Sequence, residues 1–265
     1  MRNQKLIFFD IDGTLLDHNK ELPATTKEAI KQLKEEGHVV AIATGRAPFM
    51  YKELRKELDI NTYVSFNGQY VVVDGKVIHQ DFLNEDELKK LTELSEEKGH
   101  PLVYMDDKNM KSNHAEHLYI KESIDSLKLK DNILSYEPQF YTENPVLQTL
   151  LFCVEEQQEF YKKEIPEFSF VRWHEYSMDV LPSGSSKARG IQRVIQTLGF
   201  NTEDTYAFGD GLNDVEMLQF VGHGVAMGNA HHSVKKVAKH VTDDVDKDGI
   251  LKGLRMLHLI HNNNK

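Results

Sequence analysis

Two aspartates, Asp10 and Asp12, close an apolar run in Ile-Phe-Phe-Asp-Ile-Asp-Gly-Thr (7–14). Like charges one residue apart at the end of a buried segment raise each other's pKa unless something compensates. Three further fragments carry chemistry that could compensate: Ala-Thr-Gly-Arg (43–46), Ser-Ser-Lys (185–187) and Gly-Asp-Gly-Leu-Asn-Asp (209–214). Asp10, Asp12, Asp210 and Asp214 are hard oxygen ligands. Thr44 offers a hydroxyl, Gly45 a backbone N–H at a helix start where anions are favoured, and Lys187 a cation. Oxygen ligands with several waters are the Mg²⁺ pattern. Such an ion keeps clustered carboxylates ionised and lets a phosphate dianion approach them. Each fragment alone has a plain structural reading: a helix cap for Asp-x-Asp, a turn for Gly-Asp-Gly, a solvated charge for the lysine. Their joint order points to one site.

The elements that must position these residues are legible from periodicity. Lys-Leu-Ile-Phe-Phe (5–9) is apolar on both faces, as in the middle of a parallel sheet. Residues 24–37 predict a helix capped by Thr25 or Thr26, with Ala29, Ile30 and Leu33 inward and Gly37 at its end. A second buried strand (38–44), a second helix (48–59) and a strand near 62–68 follow. This β-α-β-α-β alternation predicts a doubly wound, mostly parallel, Rossmann-like α/β sheet, whose chemistry collects at the carboxyl ends of its strands. Residues 71–80 read as a hairpin around Asp74-Gly75. A helix over 84–99, with Asn84 and Glu87 as a capping box, opens a segment of different character. Strand candidates at 101–106, 146–154 and 168–181 and a helical stretch at 155–164 make it an α+β segment inserted at 83–181. The core then spans 1–82 and 182–265. The α/β pattern resumes with a helix at 185–199, a strand ending in Asp210, a short helix, a strand at 223–228, a helix at 233–241 and a closing helix from 248. The terminal Asn-Asn-Asn-Lys is expected to fray.

The chain has 265 residues and a formal net charge of -10, which argues against a nucleic-acid binder, since that needs a basic surface. Its one cysteine, Cys153, lies in an apolar run and reads as a buried small hydrophobe. A lone cysteine, no visible secretory signal and no apolar stretch long enough for a membrane span fit a cytoplasmic protein without a membrane partner.

With these residues in view, the chain resembles the haloacid dehalogenase superfamily of phosphohydrolases. Phe-Phe-Asp-Ile-Asp-Gly-Thr, Ala-Thr-Gly-Arg, Ser-Ser-Lys and Phe-Gly-Asp-Gly-Leu-Asn-Asp-Val-Glu-Met are similar to its four motifs. The stretches at 65–71, 224–230 and 240–251, and the large insert, resemble its Cof-type subfamily with an α/β (type C2B) cap. The resemblance implies a Mg²⁺-dependent phosphatase of small phosphorylated metabolites: sugar phosphates, nucleotides or cofactor phosphates. Asp10 would attack phosphorus and carry the phosphoryl group. Asp12 would protonate the leaving alcohol and then activate water. Thr44, the Gly45 N–H and Lys187 would hold the phosphoryl oxygens. Asp10, the main-chain carbonyl of Asp12, Asp210 and Asp214 would hold Mg²⁺. Asn213 would orient the phosphate or the metal shell, and Asn67 would sit near the substrate at the hinge to the cap. Arg46 is left between a structural ion pair and a role at the substrate entrance. One departure is the polar run 181–187 before the motif lysine, which bears on the path of that loop.

Three rivals share parts of this pattern. A phosphotransferase or phosphomutase on sugar phosphates would use the same site. A non-enzymatic receiver-like phosphate-responsive protein also groups acids, a threonine and a lysine, but is about half this length and lacks the second acidic cluster. An ion pump fails for want of a membrane span. In the cap, Trp173, His174 and Tyr176 read first as half-buried strand residues and second as contacts to a leaving group. His114 and His117 read first as an ordinary pair and second as metal ligands. His231-His232 reads as a solvated helix start. A monomer or weak homo-oligomer is expected.

Overall fold

The structure is a computed structural model that describes residues 4–129 and 133–261. The terminal Asn-Asn-Asn-Lys lies outside the described residues. In chain order the elements are β1 (Leu6–Phe9), α1 (Ala24–Glu35), β2 (Val39–Ala43), α2 (Lys52–Leu58), β3 (Tyr63–Ser65), β4 (Tyr70–Val73) and β5 (Lys76–Gln80). Next come α3 (Glu85–Lys98), β6 (Leu102–Met105), β7 (Met110–Ser112), α4 (Leu118–Ser126), β8 (Leu134–Tyr136), α5 (Phe140–Glu143), β9 (Gln148–Phe152), α6 (Gln158–Glu164), β10 (Phe168–His174) and β11 (Ser177–Pro182). The chain ends with α7 (Lys187–Leu198), β12 (Thr205–Gly209), α8 (Val215–Phe220), β13 (His223–Ala226), α9 (His232–Val237), β14 (His240–Val241) and α10 (Gly249–Met256).

The chain divides into two compact units. One comprises Met1–Gly45, Lys52–His79 and Ser186–Lys265; the other comprises Arg46–Tyr51 and Gln80–Ser185. The first holds an eight-stranded sheet in the order β14-β13-β12-β1-β2-β3-β4-β5. Its strands from β14 to β3 pair in parallel, and β4 returns antiparallel to β3. The central strands are buried on both faces, as a doubly wound sheet requires: Leu6 and Phe8 pack with Ile191 and Val194 of α7, while Ile7 and Phe9 are equally buried. The β4–β5 turn has Asp74 and Gly75 at φ 47° and 75°, both left-handed, which suits a tight hairpin.

The second unit is a six-stranded sheet in the order β10-β11-β9-β6-β7-β8, antiparallel except for the β7–β8 pair. Leu88 and Leu91 of α3 and Tyr161 of α6 pack against Leu102, Tyr104, Leu151, Met178 and Val180 in its own core. Cys153 is buried in that core, and burial pushes its thiol up. Asn84 caps α3 by accepting from the N–H groups of Asp86 and Glu87, and Gly99 closes it left-handed at φ 70°.

Three local expectations are corrected. Neither Thr25 nor Thr26 caps α1: Pro23 holds the N-cap position and Thr26 is buried inside the helix. Residues 168–181 are not one strand but the antiparallel β10–β11 hairpin. The helix expected at 233–241 ends at Val237, and His240–Val241 adds a short edge strand to the parallel sheet.

Candidate active site

β1 is buried throughout because every one of its side chains is apolar, and it releases the chain at Asp10. The Asp10 N–H donates to the Phe208 carbonyl at 3.0 Å, which fixes the aspartate at the end of β12. Lys187 opens α7. Its ammonium donates to Asp10 Oδ1 and to Asp214 Oδ1, both at 2.6 Å, and is 1% exposed. The polar run before it bends at Gly184 (φ 78°) and extends through Ser186 into the helix, so this loop path still delivers the lysine. Asp214 is fully buried; its Oδ2 accepts from the N–H groups of Asp210 and Gly211 at 2.9 Å each.

Asp210 is held from two sides. The Thr14 hydroxyl donates to Oδ1 at 3.0 Å, and the Asn229 amide donates to Oδ2 at 3.2 Å. The same Asn229 amide donates to the Gly13 carbonyl at 2.8 Å, and its oxygen accepts from the Val245 N–H at 2.8 Å. Gly13 stands at φ 77°, and a Cβ there would lie 2.2 Å from Asp210 Oδ2, so the position needs glycine on both counts.

Asp10, Asp210 and Asp214 each present one oxygen within 4.8 Å of the others. Burial, then the neighbouring charges of Asp214, Asp210 and Asp12, push the Asp10 carboxyl well above its ordinary range, and Lys187 opposes them. Burial and the Asp214 charge push Asp210 up to about 6. Burial alone would lower Lys187, but the charges of Asp10 and Asp214 hold it above the usual lysine range. With all three carboxyls ionised, three negative charges facing one ammonium give the cluster a formal charge of −2. A hard divalent cation fits this donor set in ligand type and in charge. Asp12 is not one of the three converging carboxylates, though its charge acts on Asp10 and Asp210. Its carboxylate pairs with Lys20 at 2.6 Å, partly exposed at the rim.

Thr44, Gly45, Asn67 and Asn213 of the same unit are in contact with one another. Thr44 is buried at the end of β2, its N–H on the Val64 carbonyl at 2.9 Å and its carbonyl accepting from the Asn67 N–H at 3.1 Å. Asn67 is buried and left-handed at φ 51°, following Phe66 at φ 50°. Its amide fills the space where a Cβ of Gly45 would lie, 3.0 Å away, and its oxygen accepts from the exposed Asn213 amide at 3.3 Å. Arg46 is nearly buried and belongs to the other unit. There Trp173 and His174 are half-buried strand residues and Tyr176 is half-buried in the hairpin turn, stacked on Tyr119. His117 accepts from the Tyr119 N–H and caps α4.

Lys20, Thr14 and Asn229 were not singled out from sequence. Thr14 and Asn229 do lie in stretches the family resemblance rests on (10–14 and 224–230), which was the available signal; Lys20 lies in a polar loop and carries none.

A family model of haloacid dehalogenase-like hydrolases matches residues 7–254. The chain belongs to this family. As a haloacid dehalogenase-like hydrolase, it is 46% identical over 258 residues to the Bacillus subtilis protein YkrA, provisionally named a phosphatase, covering 97% of this chain and 99% of that one. The crystal structure of a hypothetical protein from Geobacillus kaustophilus HTA426 superposes with a TM-score of 0.91 at 53% identity, over 97% of this chain and 100% of the other. The HAD subclass IIB sugar phosphatase BT4131 superposes with a TM-score of 0.87 at 32% identity, over 97% and 100%. The chain is an enzyme, a haloacid dehalogenase-like hydrolase of the phosphatase kind. Among the described residues no helix is long and apolar enough to cross a membrane.

Proposed function

We propose that this hydrolase removes the phosphoryl group from small phosphorylated metabolites through an aspartyl phosphate on Asp10. The observation that carries the reading is the Asp10 carboxylate set between the Lys187 ammonium and the Asp210–Asp214 pair. In the first step an Asp10 oxygen bonds to phosphorus and the bond from phosphorus to the leaving oxygen breaks. Asp12 gives its proton to that oxygen. In the second step Asp12 takes a proton from water as the water attacks phosphorus, which releases phosphate and restores Asp10. Thr44, the Gly45 N–H and Lys187 hold the phosphoryl oxygens, with Asn213 and Asn67 orienting the group. Asp10, the Asp12 carbonyl, Asp210 and Asp214 would hold Mg²⁺, which when bound supplies positive charge against the carboxylates and the phosphoryl oxygens.

Likeness to a sugar phosphatase supports sugar phosphates as the first substrates to try, ahead of nucleotides and cofactor phosphates. The inserted unit is proposed to read the leaving group. The test is phosphate release from a panel of such compounds with Mg²⁺ or with EDTA, for wild type and Asp10→Asn. Mg²⁺-dependent release that the variant loses while staying folded is the expected result. Retained activity in Asp10→Asn would remove Asp10 as nucleophile. Transfer of the phosphoryl group to added sugars in preference to water would move the enzyme to the phosphotransferases.

A further inference from the structure

The loop after β1 carries a cation that the steps above leave unused. Residues 17–21 form a closed turn: Asp17 Oδ1 accepts from the N–H groups of Asn19 and Glu21 at 2.8 and 2.9 Å. The Asp17 N–H donates to the Glu21 carbonyl at 2.9 Å, and the Lys20 N–H donates to the Asp17 carbonyl at 3.0 Å. On the facing arm, the Gly13 N–H donates to the Leu16 carbonyl at 2.9 Å, next to a bridge between Asp12 and Leu16. Both arms are therefore pinned. Within the turn Lys20 is left-handed at φ 62°, a backbone that glycine adopts freely and a lysine adopts only under strain. What lysine supplies there is its side chain, whose ammonium sits 2.6 Å from Asp12 Oδ1. Lys187 is committed to Asp10 and Asp214, and Asp210 is held by Thr14 and Asn229, while Lys20 pairs with Asp12.

We infer that Lys20 is a positioning residue that holds the Asp12 carboxyl in one orientation for its proton transfers. The inference rests on the phosphatase reading and on Asp12 as acid and base. In the step it serves, the bond from Asp10 to phosphorus forms, the bond from phosphorus to the leaving oxygen breaks, and the proton passes from Asp12 to that oxygen. Lys20 transfers nothing.

Turnover of p-nitrophenyl phosphate, which needs little protonation of its leaving group, is compared with turnover of the best alkyl phosphate from the panel. Lys20→Met should lower kcat on the alkyl phosphate by about tenfold or more, leave p-nitrophenyl phosphate within about twofold, and leave KM alone. Lys20→Arg should restore most of the loss. Lys20→Gly should melt no lower than wild type, since it relieves the backbone, yet lose kcat like Lys20→Met. Adding Lys20→Met to Asp12→Asn should cost nothing further, because the group it positions is already gone. Equal loss on both substrates, full activity in Lys20→Gly, or a further loss in the Asp12→Asn background would each overturn the inference. No phosphate release by wild type from either compound would instead remove the phosphatase reading, and the inference with it.

Discussion

Lys187 lies with its ammonium 2.6 Å from two carboxylates, all three groups almost wholly out of water. A buried charge pair of this kind is costly to break from one side, because the partner is left uncompensated. Lys187→Met should therefore lower stability by about 3–5 kcal/mol and abolish turnover. In an Asp10→Asn background the same change should cost less by at least about 1 kcal/mol, since one of the two stranded charges is already removed. Denaturant melts of the four proteins in the cycle measure this; a strictly additive cycle would mean that the ammonium answers to Asp214 alone. At the same scale, Asp12→Asn should lose most activity on poor leaving groups, and uniform loss across leaving groups would count against Asp12 as the acid. The convergence of Asp10, Asp210, Asp214 and Lys187 was legible because each lies just past a buried strand or at a helix start. Lys20 and Asn229 were not, because a partner eight or more residues away is set by loop path, which residue type alone does not encode.

Loops and helix starts hold these side chains in place, and the turn after β3 is the most constrained of them. Phe66, Asn67 and Gly68 are consecutively left-handed at φ 50°, 51° and 106°. A Cβ on Gly68 would stand 2.2 Å from the Ser186 carbonyl, one residue before Lys187. Gly68→Ala should cost about 2 kcal/mol or more and lower kcat by displacing the start of α7, which a melt and a rate assay would register together. In the inserted unit, His100 bonds the Tyr161 hydroxyl at 2.6 Å, and burial holds its pKa below the ordinary 6.5. As pH falls through 6.5 the unfolded chain takes up this proton before the folded one does. Its contribution is thus full above 6.5 and is lost toward the lower, folded value. His100→Gln should flatten the drop in melting temperature between about pH 7.5 and about pH 5.5; an unchanged slope would exonerate this histidine. The core strands were readable because a parallel sheet demands unbroken apolar runs. The β10–β11 hairpin was not, because Glu175-Tyr176 at its turn carries no glycine, proline or asparagine to mark it. The α1 cap was misread because two threonines in the first turn hid the proline before them.

Among the described residues each unit has buried apolar packing of its own, around the parallel sheet in one and within the insert in the other, and each has its own helices and strands. The carboxylate cluster belongs entirely to the first unit. A cation bound there stabilises the unit that forms the site, by an amount that grows with its concentration over its dissociation constant. The chain's single tryptophan, Trp173, lies on β10 in the other unit, so intrinsic tryptophan fluorescence follows the unfolding of the insert. Saturating Mg²⁺ should raise one calorimetric transition and leave the fluorescence midpoint where EDTA leaves it, and Asp210→Asn should remove most of the calorimetric shift. If fluorescence and heat capacity move upward together, the two units unfold as one cooperative whole, and binding at the carboxylates is felt throughout the chain.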